Sequence, residues 1–442
     1  MTQIASSVSP RSSIGWANCQ PSIVAGILFI LLFSGPPRFR ERDPSASLRG
    51  EIDPVVIFHL AVWALAGMWV FYQMRFYFQA NAKPLGLRLP QKLGLGMVAA
   101  LGMSTLVSVS PPLTAFMVYQ MLVSMMFTTV FVERYGVEAC LRKLFQASAV
   151  LCVVTAMAAI VLPDLVFVTT ETGVLRLRGD YLAGTEGIAL FCLVLLLGGV
   201  QKVPKIIYGL LLGLCCVLLV ASLSRTAYLV LFLFFLLVLF KRPRSTPFRR
   251  FAYAFGVAGA SALVLGYASA ISQYRDPESV STLSDRLGLW TYLSNVTLQK
   301  SPLLGLGYYA ASRVYGTQYN AGLGTAHSMF FETFLGGGLL AITILIILCV
   351  VMSAYVIRVF CQDTSLSFTV TILFLATMMF GFIGATLDSG PAAIVFWSLA
   401  ASVPILQNRS STRLRVAPTF KKQFAEVRNG CRTDDWNDWS AF

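Results

Sequence analysis

Uninterrupted apolar runs recur along this chain, and most approach the ~20 residues that a helix needs to cross a bilayer. Barrel strands would be shorter and would alternate apolar with polar residues, so the run length points to helices. Twelve runs read as spans: residues 21–35, 54–74, 93–110, 112–132, 145–163, 184–201, 206–223, 226–240, 251–272, 329–355, 367–386 and 391–407. The expected fold is therefore an all-α integral membrane protein of about twelve transmembrane helices. One long polar segment, 273–328, separates spans nine and ten and carries short helices of its own.

Composition agrees. The chain is 56% hydrophobic and 12% charged, with mean hydropathy +0.71, about half the charged fraction of a soluble protein. Its formal charge of +14 would point to nucleic acid in a soluble protein. In this setting basic loops anchor helices on the cytoplasmic side, and no nucleic-acid partner is expected. With the N-terminus placed inside, the inner segments hold 23 of the 34 lysines and arginines. The densest stretch is KRPRSTPFRR at 241–250, followed by the basic tail. Both ends are thus expected in the cytoplasm: an N-terminal segment 1–20, a membrane domain 21–407 and a basic tail 408–442. Residues 1–20 are polar with one arginine, and the run from Ile23 to Phe33 reads as part of a first helix rather than a cleavable signal. Nine cysteines are present and none lies in an outer segment, so neither a structural disulfide nor a metal cluster is expected.

The outer face carries the residues that promise chemistry. In SLSRTA, Ser222 to Ala227, Arg225 stands between two apolar runs with almost no loop. An arginine at that depth is costly unless it meets an anion or a watery cavity; Ser224 and its neighbours could add hydroxyl donors to phosphate. The bland reading is a snorkelling arginine at a helix end. Arg176 and Arg178 are two residues apart and share a face if the segment is extended; the alternative is a basic solvated loop. The segment SDRLGLWTYLSNVTLQKSP predicts a short helix with Ser284 as N-cap and Leu289, Leu293 and Val296 on one face. Arg286 falls in its first turn, where backbone N–H groups favour anions. Arg275 and Arg313 lie in the same long segment.

Only two histidines are present. His327 stands where the chain re-enters the membrane, and imidazole titrates near neutrality, so it can take a proton from a hydroxyl. His59 lies within the second apolar run and reads as a packed or hydrogen-bonded core residue. Glu332 is five residues past His327, about 500° around a helix, and is not paired with it on spacing alone.

These residues, in this order, resemble the O-antigen ligase and polysaccharide polymerase superfamily of bacterial membrane glycosyltransferases. The carriers are SLSRTA after a span, then DRLGLW running into SPLLGLG, then the pattern of His, Asn/Ser/Gln, nine residues, Gly, two residues and Gly/Thr/Tyr. That pattern starts at His327-Ser328 and reaches Gly338; its last position here is Ala341, a departure that tilts the reading from ligase towards polymerase. The resemblance implies a reaction at the periplasmic face of the inner membrane, with segment 273–328 as the catalytic loop. The donor would be a glycan on a polyprenyl pyrophosphate, and the acceptor a hydroxyl of another glycan or of lipid A core. Membrane lipids and other polysaccharide-assembly proteins would be its partners. No cofactor or metal is implied: arginines would neutralise the leaving pyrophosphate. By the same resemblance His327, Arg225 and Arg286 would be catalytic, and Arg176, Arg178, Ser224 and Arg313 would contact substrate. The competing reading is a flippase or transporter for lipid-linked glycan, which would place charge near the bilayer midplane and often show repeated halves.

Overall fold

The computed structural model describes residues 21–35, 51, 53–77, 85–169, 175–177, 185–241, 259, 286–320, 325–362, 364–384 and 387–408. The N-terminal segment, the ninth apolar run (apart from residue 259), Ser284, Arg275, Arg178 and the basic tail lie outside these residues, and of Arg225 only the backbone is described. The described chain is helical apart from one small hairpin. In order the helices are α1 (Ile23–Ser34), α2 (Pro54–Tyr77), α3 (Leu89–Met103), α4 (Pro111–Tyr135), α5 (Val137–Val161), α6 (Thr185–Leu197), α7 (Lys205–Ser222), α8 (Arg225–Lys241), α9 (Arg286–Lys300), α10 (Met329–Phe360), α11 (Ser365–Ile383) and α12 (Gly390–Asn408). Six of them, α2, α4, α5, α7, α10 and α12, are long and apolar enough to cross a membrane; shorter apolar stretches are α1, α6, Thr226–Leu237 of α8 and Leu366–Phe382 of α11. The hairpin pairs β1 (Phe167–Thr169) antiparallel with β2 (Leu175–Leu177).

Several helix limits differ from the apolar runs, for local reasons. The expected loop 133–144 is a single left-handed residue, Gly136, because α5 begins at once with Val137. Its first turns carry Arg142 and Lys143 on the polar side and bury Leu141, Leu144 and Phe145; a reading by hydropathy stops where charge starts, but a helix need not. The expected span 93–110 is cut short. Helix α3 ends at Met103, passes through a 3₁₀ turn to Val107, and Pro111-Pro112 then start α4, since a residue before proline is pushed out of the helical region.

Rings from three helices make the packing on one side of the bundle. Phe29 of α1 meets Phe131 of α4 at 5.1 Å, and Trp69 of α2 meets Phe127 at 4.7 Å. Half-buried His59 is hydrogen-bonded there as expected: Trp63 donates to its Nε2 at 3.1 Å, and Gln120 lies 2.8 Å from the same nitrogen. One end of the bundle gathers basic residues paired with neighbours. Arg88 bridges to Glu133, Arg134 reaches Gln73, and Lys143 contacts Gln146 at 2.8 Å. The described cysteines are free thiols, and the sulfurs of Cys152 (α5), Cys192 (α6) and Cys215 (α7) come within 4.8 Å of one another. All three are buried in the main core, where thiols pack as small apolar groups; their spacing along the chain gave no hint of this meeting.

The opposite end positions the site. Helix α10 breaks at Gly338, with φ +63° and ψ −159°. A break strands backbone groups that must find partners, and segment 302–307 supplies them. Leu306 and Gly307 donate to the carbonyls of Leu335 and Gly336 at 2.8 and 3.1 Å, while Leu339 and Leu340 donate to Pro302 and Leu303 at 2.8 and 3.3 Å. A Cβ on Gly338 would meet the Pro302 carbonyl oxygen at 2.6 Å and the Leu303 backbone as well, so only glycine fits. A second small core seals this end: Leu289, Leu293, Leu306, Ala311, Tyr315, Ala326 and Leu335.

Candidate functional site

Helix α9 is amphipathic as its sequence predicts. Leu289 and Leu293 are buried, Val296 is packed beside them, and Trp290 and Thr297 join the buried face. Trp290 stacks on Phe331 of α10 at 4.5 Å with an interplanar angle of 11°, and its Nε1 donates to the carbonyl of Ala326 at 2.8 Å. Half-buried Arg286 is one turn earlier on the same face. It is the first described residue of α9. Arg286 and the residue next to His327 are thus brought to one place by a single turn of helix.

His327 is half-buried and left-handed, with φ +51°. The residue before it is held by both backbone groups. Trp290 takes the Ala326 carbonyl, and the Ala326 N–H donates to Glu332 Oε2 at 3.0 Å. The other carboxylate oxygen accepts from Ser312 at 2.6 Å. Glu332 is 1% exposed. Losing it would strand a buried N–H, at a cost of about 1–3 kcal/mol.

Ser312 opens a short π-helical turn, Ser312–Gly316, which carries Arg313; such turns are common at functional sites. The Arg313 guanidinium lies 4.9 Å from the ring centre of Tyr309 and donates to its hydroxyl at 2.7 Å. Its Nε is buried without a hydrogen-bond partner among the described residues, as is the hydroxyl of Ser328 next to His327. Buried polar atoms without partners are rare in folded proteins, and these two flank the histidine segment in sequence and space.

Beneath lies a polar column. The Tyr308 hydroxyl donates to Asp388 Oδ1 at 3.2 Å, Ser389 donates to Oδ2 at 2.9 Å, and Ser124 donates to the Asp388 carbonyl at 2.8 Å. Burial, then the nearby carboxylates of Asp388 and Glu332, hold the Tyr308 phenol well above its usual range, so it stays a donor. Segment 387–390 was expected as an outer turn. Leu387 and Asp388 are instead buried, at 2% and 3% exposed, against a serine 13 residues into α4, about 20 Å along its axis. The bonds from Tyr308 and Ser389 make that position tolerable for a carboxyl group.

The second wall is α7 and α8. They meet at Leu223, left-handed with φ +49°, and Arg225 is the first residue of α8. Ser224 caps that helix, its hydroxyl accepting from the Ala227 N–H at 3.4 Å. The structure therefore gives Ser224 a local structural task, with its own proton still free to be donated. Arg176 is exposed on β2, which lies against α7; Leu177, pointing the other way, is buried. The structure thus ties the residue before His327 and the turn carrying Arg313 to Glu332, with Arg286 one turn before Trp290 on the face that meets Ala326. Arg225, Ser224 and Arg176 belong to the neighbouring wall, linked to the first group through α11: α8 packs on α11, and Met329 of α10 lies where a side chain on Gly381 of α11 would go.

Among the described residues three non-glycine positions are left-handed: Leu223, Tyr309 and His327. Each costs about 1–2 kcal/mol and persists where surrounding structure over-determines it. All three fall in the segments that carry Arg225, Arg313 and the histidine.

Residues 209–346 match the family model described as O-Antigen ligase. Over that segment the chain is similar to the O-antigen ligase and polymerase superfamily. No curated protein and no solved structure matches it. The superfamily match runs from within α7 to just past the break in α10, so it contains Arg225, Arg286, Arg313, His327 and Gly338; Arg176 and Asp388 fall outside it. The superfamily glycines acquire a reason from the break, since segment 302–307 and residues 335–340 must touch backbone to backbone. Residues that sequence reasoning passed over are Ser312, Asp388 and, as a partner of the histidine segment, Glu332. A signal existed for two of them: Glu332 and Asp388 are lone acids in long apolar surroundings, where an ionisable residue is a functional candidate by default.

Proposed function

We propose that the protein is a membrane glycosyltransferase that moves a glycan from a polyprenyl-pyrophosphate donor to an acceptor hydroxyl, in polymerisation or ligation of a bacterial polysaccharide. The observation that carries this reading is the convergence of the three superfamily segments at one end of the bundle. His327 there stands on left-handed backbone, next to an alanine held at both of its backbone groups. Arg286 and Arg225, each at the first described residue of a helix, bind and neutralise the pyrophosphate. Arg313, Ser224, Arg176 and Arg178 contact the same anion or the sugars beside it. The acceptor oxygen attacks the anomeric carbon with inversion as the bond from that carbon to the phosphate oxygen breaks. His327 takes the hydroxyl proton, and the electron pair leaves on the polyprenyl pyrophosphate. Charge neutralisation by fixed guanidinium groups removes the need for a divalent ion. The site faces the periplasm and both termini lie in the cytoplasm, with 1–20, 21–407 and 408–442 as the N-terminal segment, the membrane domain and the tail.

Purified protein in detergent micelles, given lipid-linked repeat units alone, is expected to yield a ladder of longer chains. His327→Ala should yield none at equal protein levels. Micelles have no two sides, so new glycosidic bonds there separate an enzyme from a flippase. Absence of the ladder with single transfers onto added lipid A core makes the protein a ligase. Undiminished transfer by His327→Ala removes the histidine from its role.

A further inference from the structure

Glu332 lies in a helix otherwise apolar for its first turns, yet neither carboxylate oxygen faces solvent. Oε2 accepts from the N–H of Ala326, and Oε1 accepts from Ser312. Phe331, its neighbour on α10, stacks on Trp290, which binds the carbonyl of the same Ala326. One turn of α10 therefore grips the residue before His327 by both its backbone groups. The Ala326 carbonyl belongs to the peptide plane that ends at the His327 nitrogen, so Trp290 sets the plane from which the imidazole departs. Left-handed backbone at His327 would relax without such a clamp. Through Ser312, the same carboxylate holds the turn that carries Arg313. We infer that Glu332 is a positioning residue which fixes the His327 imidazole and ties it to the Arg313 segment; the inference rests on the role proposed for His327 above.

Three alternatives for Glu332 make different demands. A general base would have to face the acceptor, but both of its oxygens are engaged within the protein. An ion-pair partner for Arg313 would need a direct bond, and Glu332 reaches that segment through Ser312 instead. A purely structural carboxylate would act on the fold as a whole rather than on one imidazole.

The presence of only two histidines makes a direct test possible. Full-length protein labelled with ¹³C,¹⁵N-histidine gives two side-chain signals, and the one lost in His327→Ala belongs to His327. In Glu332→Ala the His327 signal is expected to shift or broaden while the His59 signal stays in place, and kcat should fall about 10- to 100-fold with donor KM within about twofold. Glu332→Gln, whose amide oxygen still accepts from the Ala326 N–H, should restore the signal and most of the turnover. Trp290→Phe keeps the stack on Phe331 and loses only the indole N–H; it should move the His327 signal the same way, and it decides the matter if Glu332→Ala does not accumulate. A stationary His327 signal, or both histidine signals moving together, overturns the inference. Normal transfer by His327→Ala would instead defeat the catalytic reading, and the spectra would still show whether Glu332 sets the ring.

Discussion

Arg225 opens α8, and an arginine at the start of a helix opposes the helix dipole unless an anion sits beside it. Geometry then matters as much as charge, because a guanidinium offers phosphate two parallel N–H donors and an ammonium offers a point charge. Arg225→Lys should therefore lower turnover on the order of 10²-fold, the scale for losing one preorganised donor to developing charge. Initial rates at saturating donor test this, and wild-type rates would make Arg225 a membrane anchor. His327 and Arg286 stand out in the sequence because each falls in a motif of fixed order. Glu332 was visible but could not be paired, because a spacing of five residues describes two positions on one helix. Here Ala326 lies before the helix starts, and the chain turns back at His327 with φ +51° to bring its N–H under the carboxylate. Arithmetic along a regular helix does not contain that turn.

Among the elements, α10 shows most clearly how a pattern and its cause can be separate. The run 329–355 reads as one span, and its glycine at 338 reads as a family mark. In the structure that glycine is a break whose freed backbone groups are laced to segment 302–307. Gly338→Ala should accordingly cost about 1–2 kcal/mol for the left-handed backbone and a further ~1–3 kcal/mol for the clash with Pro302 and Leu303. Gly199 is also left-handed, at φ +67°, but a Cβ there would meet nothing within 4 Å, so Gly199→Ala should show the first cost alone. The thermal midpoints of the two variants in detergent check the difference, and equal midpoints would mean that the lacing yields. Helix α9 was legible down to its buried face, because amphipathic spacing needs no knowledge of the partner. The junction at Gly136 and the early end of α3 were not, because hydropathy marks where membrane contact stops and not where hydrogen bonding does.

Taken as a whole, the bundle has two unlike ends. One gathers paired basic residues, Arg88, Arg134 and Lys143; the other holds the histidine segment. If the basic end faces the cytoplasm, a cysteine at position 300 should react with an impermeant maleimide added to intact cells. The native Cys361, exposed just past the far end of α10, should react only after permeabilisation. The reverse pattern would invert the orientation. The all-α membrane class was legible from run length alone. The grouping of Cys152, Cys192 and Cys215, and the burial of Asp388 against α4, were not, since both depend on which helices become neighbours. The break in α10 matters at this scale too. A long span adapts to bilayer thickness by tilting, and a rigid rod from Met329 to Phe360 would carry any such tilt directly to its outer tip. Gly338 puts a joint in the rod, and the outer piece is fastened to Ser312, Trp290 and Leu306 rather than to lipid. The spacing of the histidine segment from Ser312 and Trp290 is thereby set by protein contacts, insulated from the thickness of the membrane in which the chain happens to sit.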